Sequence, residues 1–104
     1  MMAEAQGDDD EVFVYMGGDQ RVPDEVRRAR IHISVKIVRA RAFQDREQLI
    51  SVEFHDGVEI IEEDAFDNCC SINGPNTLLG VKIVKREAFY DCRELTDVVF
   101  GNQL

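Results

Sequence analysis

Val81-Lys82-Ile83-Val84-Lys85-Arg86-Glu87-Ala88-Phe89-Tyr90-Asp91-Cys92-Arg93-Glu94-Leu95-Thr96-Asp97-Val98-Val99-Phe100 is the third appearance of one pattern. Its Ala-Phe pair recurs at one constant interval, as Ala42-Phe43, Ala65-Phe66 and Ala88-Phe89. The frames open Val35-Lys36-Ile37-Val38, Val58-Glu59-Ile60-Ile61 and Val81-Lys82-Ile83-Val84. A small polar residue follows each Phe by two places: Asp45, Asn68 and Asp91. Arg46, Cys69 and Cys92 come next, then Leu49, Ile72 and Leu95 three places on. A fixed period of this length marks a repeat array, in which each rung buries its apolar side chains against the next.

The local patterns predict the shape of one rung. Leu49, Val52 and Phe54, with Leu95, Val98 and Phe100, suit a short strand with one buried face. The Val-x-Ile-Val openings suit a second extended segment. The residues between, centred on Ala-Phe, predict one helical turn, with Phe as anchor and Ala allowing close approach. Asp or Asn then predicts a turn. One circuit of such a coil advances about 4.8 Å, the spacing of paired strands.

Stacking also predicts charge ladders. Lys36, Glu59 and Lys82 become neighbours on successive rungs, as do Arg39, Glu62 and Lys85. Opposite charges directly across from each other favour pairing by about 0.2–1 kcal/mol. The middle repeat departs from the others: Pro75 stands where Val52 and Val98 stand, next to Gly74. Proline brings no N–H to a ladder, so the spacing predicts a broken or bulged middle strand.

The pattern Val-x-x-Ile/Val-x-x-x-Ala-Phe-x-x-Cys-x-x-Leu-x-x-Val resembles the leucine-rich repeats of the bacterial surface-antigen (BspA-like) type, which are also common in protists and algae. The resemblance covers residues 35–104. It implies an α/β fold: a short right-handed solenoid with parallel strands and about three rungs, at 35–57, 58–80 and 81–103. It also implies recognition of a protein partner without catalysis. Residues 12–34 match less well and are expected to form an N-terminal cap or degenerate repeat. Val12–Met16 within them suits an edge strand ended by Gly17-Gly18. Residues 1–11 read as a disordered acidic tail.

Composition bounds the rest. At 104 residues with 44% apolar content, the chain is one domain at most. Its net charge of −9 argues against nucleic acid as the main partner. Residues 26–46 are nonetheless basic, with Arg27, Arg28, Arg30, Lys36, Arg39, Arg41 and Arg46, whereas 47–70 carry acids and no Lys or Arg. Pairing across rungs accounts for that asymmetry better than a nucleic-acid platform, because no aromatics interleave with the arginines. No stretch is long and apolar enough to suggest a membrane span. The start of the chain shows neither a basic region nor an apolar core of a signal peptide, which leads to a cytoplasmic expectation.

Neither cysteines nor histidines assemble into chemistry. Cys69 and Cys92 are repeat-equivalent, hence expected to be stacked core fillers, and Cys70 stands outside the pattern. His32 and His55 have no metal-ligand spacing to them and are expected to face solvent. No enzymatic activity, cofactor or metal is expected. The candidate partner-binding residues are the outward strand positions Ile50, Ser51, Glu53, Thr96, Asp97 and Val99. A self-associating repeat, or a fragment of a longer array, is the alternative. The first is motivated by the Ile37/Ile60/Ile83 row and by a C-terminal end that looks uncapped.

Overall fold

The structure, a computed structural model, describes residues 11–101; the side chains of 74–76, 96 and 97 lie outside that description. The expected acidic tail, apart from Glu11, and residues 102–104 therefore lie outside the described residues. Eight short strands follow in order: β1 (Phe13–Tyr15), β2 (Arg28–Ile31), β3 (Ile37–Val38), β4 (Ser51–Glu53), β5 (Ile60–Ile61), β6 (Gly74–Leu78), β7 (Ile83–Val84) and β8 (Leu95–Phe100). They form three small parallel sheets, ordered β1-β2-β4, β3-β5-β7 and β6-β8. The register carries the repeat: Ala29 pairs with Val52, Ile37 with Ile60 and Ile60 with Ile83, each step equal to the interval between Ala-Phe pairs.

One expectation is corrected here. No helix occurs among the described residues, and the Ala-Phe segments are runs of turns. The reason lies in where alternate N–H groups go. Ala42 N–H donates to Arg39 O and Gln44 N–H to Arg41 O, both within the rung. Arg41, Phe43 and Asp45 N–H instead donate to Glu63, Ala65 and Asp67 carbonyls of the next rung, at 3.1, 2.7 and 2.8 Å. Asp64, Phe66 and Asn68 repeat this toward Arg86, Ala88 and Tyr90. An α-helix needs every N–H for its own i−4 carbonyl, so the segment cannot be helical while it bonds its neighbour. Residues in the left-handed region aim those groups: Arg41 and Asp45, Asp64 and Asn68, Glu87 and Asp91, with φ between 58° and 64°.

The core consists of columns. Val35, Val58 and Val81 are buried, as are Val38 and Ile61, Phe43 and Phe66, and Leu49 and Ile72. Phe43, Phe66 and Phe89 stack face to face with centroids 5.0 and 5.3 Å apart. Tyr15 ends that column: its ring lies 5.3 Å from Phe43, tilted by 54°. Its hydroxyl also replaces a rung. Glu62 and Lys85 N–H donate to the carbonyls of Val38 and Ile61, whereas Arg39 N–H donates to the Tyr15 hydroxyl at 3.2 Å. Tyr15→Phe therefore keeps the ring and strands one N–H. A loss of about 1–2 kcal/mol is expected from urea midpoints; an unchanged midpoint would remove the hydroxyl from the cap.

The N-terminal rung is shortened. The step from Phe13 to its partner Ala29 is smaller than the step from Ala29 to Val52. β1 is the sheet edge, and Gly17 and Gly18 turn the chain away from it at φ 81° and 61°. The expected break in the middle strand does not occur: β6 runs through Pro75, and the irregularity is a register shift opposite Gly74/Pro75 whose unpaired residue lies on β8. Gly74 pairs with Leu95 but Pro75 with Asp97, so Thr96 is skipped. From Pro75 onward each partner stands one place short of the repeat interval. That slip moves Leu78, not Thr77, opposite Phe100. Strand side chains alternate with period two, and Leu78 is accordingly buried while Thr77 is exposed. β6 pairs with β8 in a sheet separate from β4, with Asn73 N–H to Ile50 O, 3.2 Å, reaching back across the break.

Candidate interaction surface

The expected partner-binding residues fall on two sheets. Ser51 and Glu53 flank buried Val52 and point outward from β4; Ile50 precedes them, half-buried. Val99 is exposed on β8. Thr96 and Asp97 belong to β8, but their side chains lie outside the described residues. The sheet break separates the β4 group from the β8 group. Glu53 is also engaged already, since Arg30 Nε donates to its carboxylate at 3.1 Å across one rung.

The charge ladders close at one step. Lys85 Nζ sits 3.3 Å from Glu62. Lys36, Glu59, Lys82 and Arg39 make no ion pair among the described residues. Arg41 instead reaches Glu63 at 3.8 Å, so cross-rung pairing absorbs Arg30 and Arg41 of the basic stretch. Such exposed pairs contribute little individually.

Arg46 has a role that composition conceals. It occupies the column of Cys69 and Cys92, yet its side chain is largely buried. Its Nε and Nη2 donate to Val22 O at 3.1 and 2.7 Å, and Nη1 donates to Gln44 O at 2.7 Å. Cys69 and Cys92 do equivalent work with a weaker donor: their thiols donate to Phe43 O and Phe66 O at 3.0 and 3.1 Å. The three cysteines are free thiols. Burial pushes the Cys69 thiol up to about 12 from 9.0, helped by its neighbour Cys92, and burial likewise pushes Cys92 up to about 11. The thiolate is the reactive form. In the native protein, a disulfide-exchange reagent at mild alkalinity is therefore expected to modify half-buried Cys70 first and Cys69 only on unfolding. Stability shifts in the same direction. The unfolded thiols ionise from about pH 9 while the folded ones do not, so stability present below pH 9 is lost as pH climbs toward 12. Prompt modification of Cys69 in the folded protein would contradict both statements.

The histidines serve the backbone. Gly57 N–H donates to His55 Nδ1 at 3.0 Å, and His55 Nε2 lies 2.9 Å from His32 O. A carbonyl only accepts, so the ring proton sits on Nε2. His32 accepts similarly from Ser34 N–H at 3.1 Å. Instead of facing solvent unengaged, His55 joins two rungs. Its signal in the sequence was only the turn glycine two places on. Among the described residues, no three His, Cys, Asp or Glu side chains gather in a metal-binding arrangement, and no helix is long and apolar enough to cross a membrane.

Parallel strands, a repeat register kept on β2-β4 and β3-β5-β7, and alternating rung-to-rung hydrogen bonds are those of a leucine-rich repeat protein. The family model described as "BspA type Leucine rich repeat region (6 copies)" matches residues 25–104, and the chain belongs to that family. The match starts ahead of the first full frame, in keeping with the full repeat step of β2 on β4. No curated protein and no solved structure matches the chain.

Proposed function

We propose that this chain is a protein-binding module without catalytic activity, built as a short right-handed solenoid. The reading is carried by the repeat register of β2-β4 and β3-β5-β7, which sets equivalent side chains one rung apart. Parallel strands joined by crossovers are right-handed in nearly all known cases. Stacked repeats offer extended surfaces suited to proteins. The Cys69 and Cys92 thiols and His55 are engaged by backbone groups. Family membership supports interaction in the same direction, while leaving the partner to experiment.

Ser51 and Val99 are the cleanest probes of the strand face, because each is exposed and Glu53 is already paired. Affinity capture from a lysate of the source organism should be run with wild type and Ser51→Arg/Val99→Arg. A specific protein held by the wild type and lost by the variant is expected. Equal capture by both would remove this face from the binding surface.

A further inference from the structure

The outer face of the β3-β5-β7 sheet carries an apolar column bordered on both sides by alternating charge. Val35 and Val38 are buried while Lys36, Ile37 and Arg39 are exposed; of their equivalents, Lys82, Ile83 and Lys85 are exposed and Glu59, Ile60 and Glu62 half-buried. Ile37, Ile60 and Ile83 are register partners. Ile37 and Ile83 are 39% and 46% exposed. Met16, 50% exposed, lines a common groove with Ile37 and extends the column by one place. Lys36, Glu59 and Lys82 run along one side, and Arg39, Glu62 and Lys85 along the other. Contiguous exposed apolar surface rimmed by polar groups marks an interaction site.

We propose that this face pairs with the same face of a second copy, antiparallel and displaced by one rung. The charge order selects that arrangement. Two copies facing in parallel set Lys36 against Arg39 and Glu59 against Glu62, like against like. Antiparallel copies in full register set Lys36 against Lys82 and Glu59 against itself. A shift of one rung, about 4.8 Å, sets Lys36 against Glu59 and Arg39 against Glu62, each twice by the two-fold symmetry. These four groups include three with no ion pair among the described residues, Lys36, Glu59 and Arg39. The same shift aligns the apolar column over its whole length. Ile37 meets Ile60, and Ile83 meets Met16, in both directions. The opposite one-rung shift leaves Ile37 and Met16 unmatched. Self-complementary contact of this kind closes as a dimer. The column and its matched charges involve far fewer side chains than the roughly 20–30 residues per partner of standard complexes, so the dimer is expected to be weak, populated toward millimolar protein. This is a side-by-side contact, independent of the strand face and of any end-to-end stacking.

Sedimentation equilibrium over a concentration series tests it with two charge variants. Glu59→Lys/Glu62→Lys makes the first two rungs positive, and Lys36→Glu/Arg39→Glu makes them negative. Each variant alone is expected to associate about tenfold more weakly than wild type or worse, and their equimolar mixture to recover a heterodimer. A wild type that stays monomeric at millimolar concentration would overturn the proposal. So would a dimer indifferent to both substitutions, or a mixture that does not recover. Circular dichroism checks folding of each variant. A second measurement stands apart from charge: Met16→Cys/Ile83→Cys under mild oxidation is expected to give an intermolecular 16–83 disulfide. An 83–83 link, or none between chains, would sink the register.

Discussion

Replacing Phe66 by alanine is expected to unfold most of the protein at room temperature. Its ring is fully buried and lies between Phe43 and Phe89, at 5.0 and 5.3 Å, with Phe54 edge-on at 5.8 Å. Truncating a buried Phe to Ala costs about 3–5 kcal/mol through lost transfer energy and the cavity left behind. Each lost aromatic contact adds about 0.5–1.5 kcal/mol. A small domain holds only about 5–15 kcal/mol in total. The loss also falls where both neighbours depend on it, because each rung is held mainly by adjacent rungs. Phe89→Ala should cost visibly less, since Phe89 is only partly buried and stacks on Phe66 from one side. Phe66→Leu, which keeps most of the volume, should remain folded with a lowered midpoint. Urea unfolding followed by far-ultraviolet circular dichroism measures all three. Equal losses at positions 66 and 89 would show that the ring column is not the spine of the stack. So would a Phe66→Ala loss well below the usual range for a buried Phe, under about 1.5 kcal/mol.

The same column explains how much could be read in advance. Ala-Phe at a fixed interval placed Phe43, Phe66 and Phe89 in one stack, and the Val and Leu positions followed as parallel columns. Periodicity of apolar residues reports burial, and burial is what the rungs share. Backbone conformation is a separate matter. Arg41, Asp64 and Glu87 take positive φ although Arg and Glu have no preference for that region. Nothing in their identity separates a helical turn from a run of turns. Only the diversion of alternate N–H groups to the next rung does so, and that is a property of the stack. Asp45, Asn68 and Asp91 were legible as turn residues because their short side chains tolerate the left-handed region.

The candidate surface was less legible for a related reason. Columns predict which side chains are neighbours, but not which neighbours touch. Glu62 and Lys85 meet, whereas Lys36, Glu59 and Lys82 do not close a pair among the described residues. Tyr15 and Arg46 sit outside the consensus: Tyr15 gives Arg39 N–H the acceptor that a full preceding rung would supply, and Arg46 reaches back to satisfy the Val22 carbonyl of the shortened N-terminal segment. Capping residues break the repeat because they face something other than another repeat. Departures from the pattern at an end of a stack therefore point to caps first, and to sites only when capping leaves them unexplained.

The middle rung shows what such a departure costs. His55, Asp56 and Gly57 stand between Phe54 and Val58, but only Leu79 and Gly80 between Leu78 and Val81. The slip at Gly74/Pro75 that returns Leu78 to the core uses up the missing residue. The shortened corner then presses on the rung before it: a Cβ at Gly80 would fall onto the carbonyl oxygen of Asp56. Backbone cannot swing aside as a side chain does, so Gly80→Ala must separate two rungs or distort their corner. A loss of about 2–3 kcal/mol is expected, at the upper end of overpacking effects. Two other glycines calibrate it. A Cβ at Gly57, the frame equivalent of Gly80, meets the His55 ring rather than backbone, so its main consequence is a displaced histidine. Gly18 has open space around it and a φ of 61°, so alanine there meets only the cost of the left-handed region, about 1 kcal/mol. Midpoints of urea unfolding at constant slope should rank Gly80→Ala as the most damaging of the three. If Gly80→Ala proves no worse than Gly18→Ala, the two rungs are not in backbone contact at that corner, and the one-residue slip must be absorbed elsewhere in the middle rung.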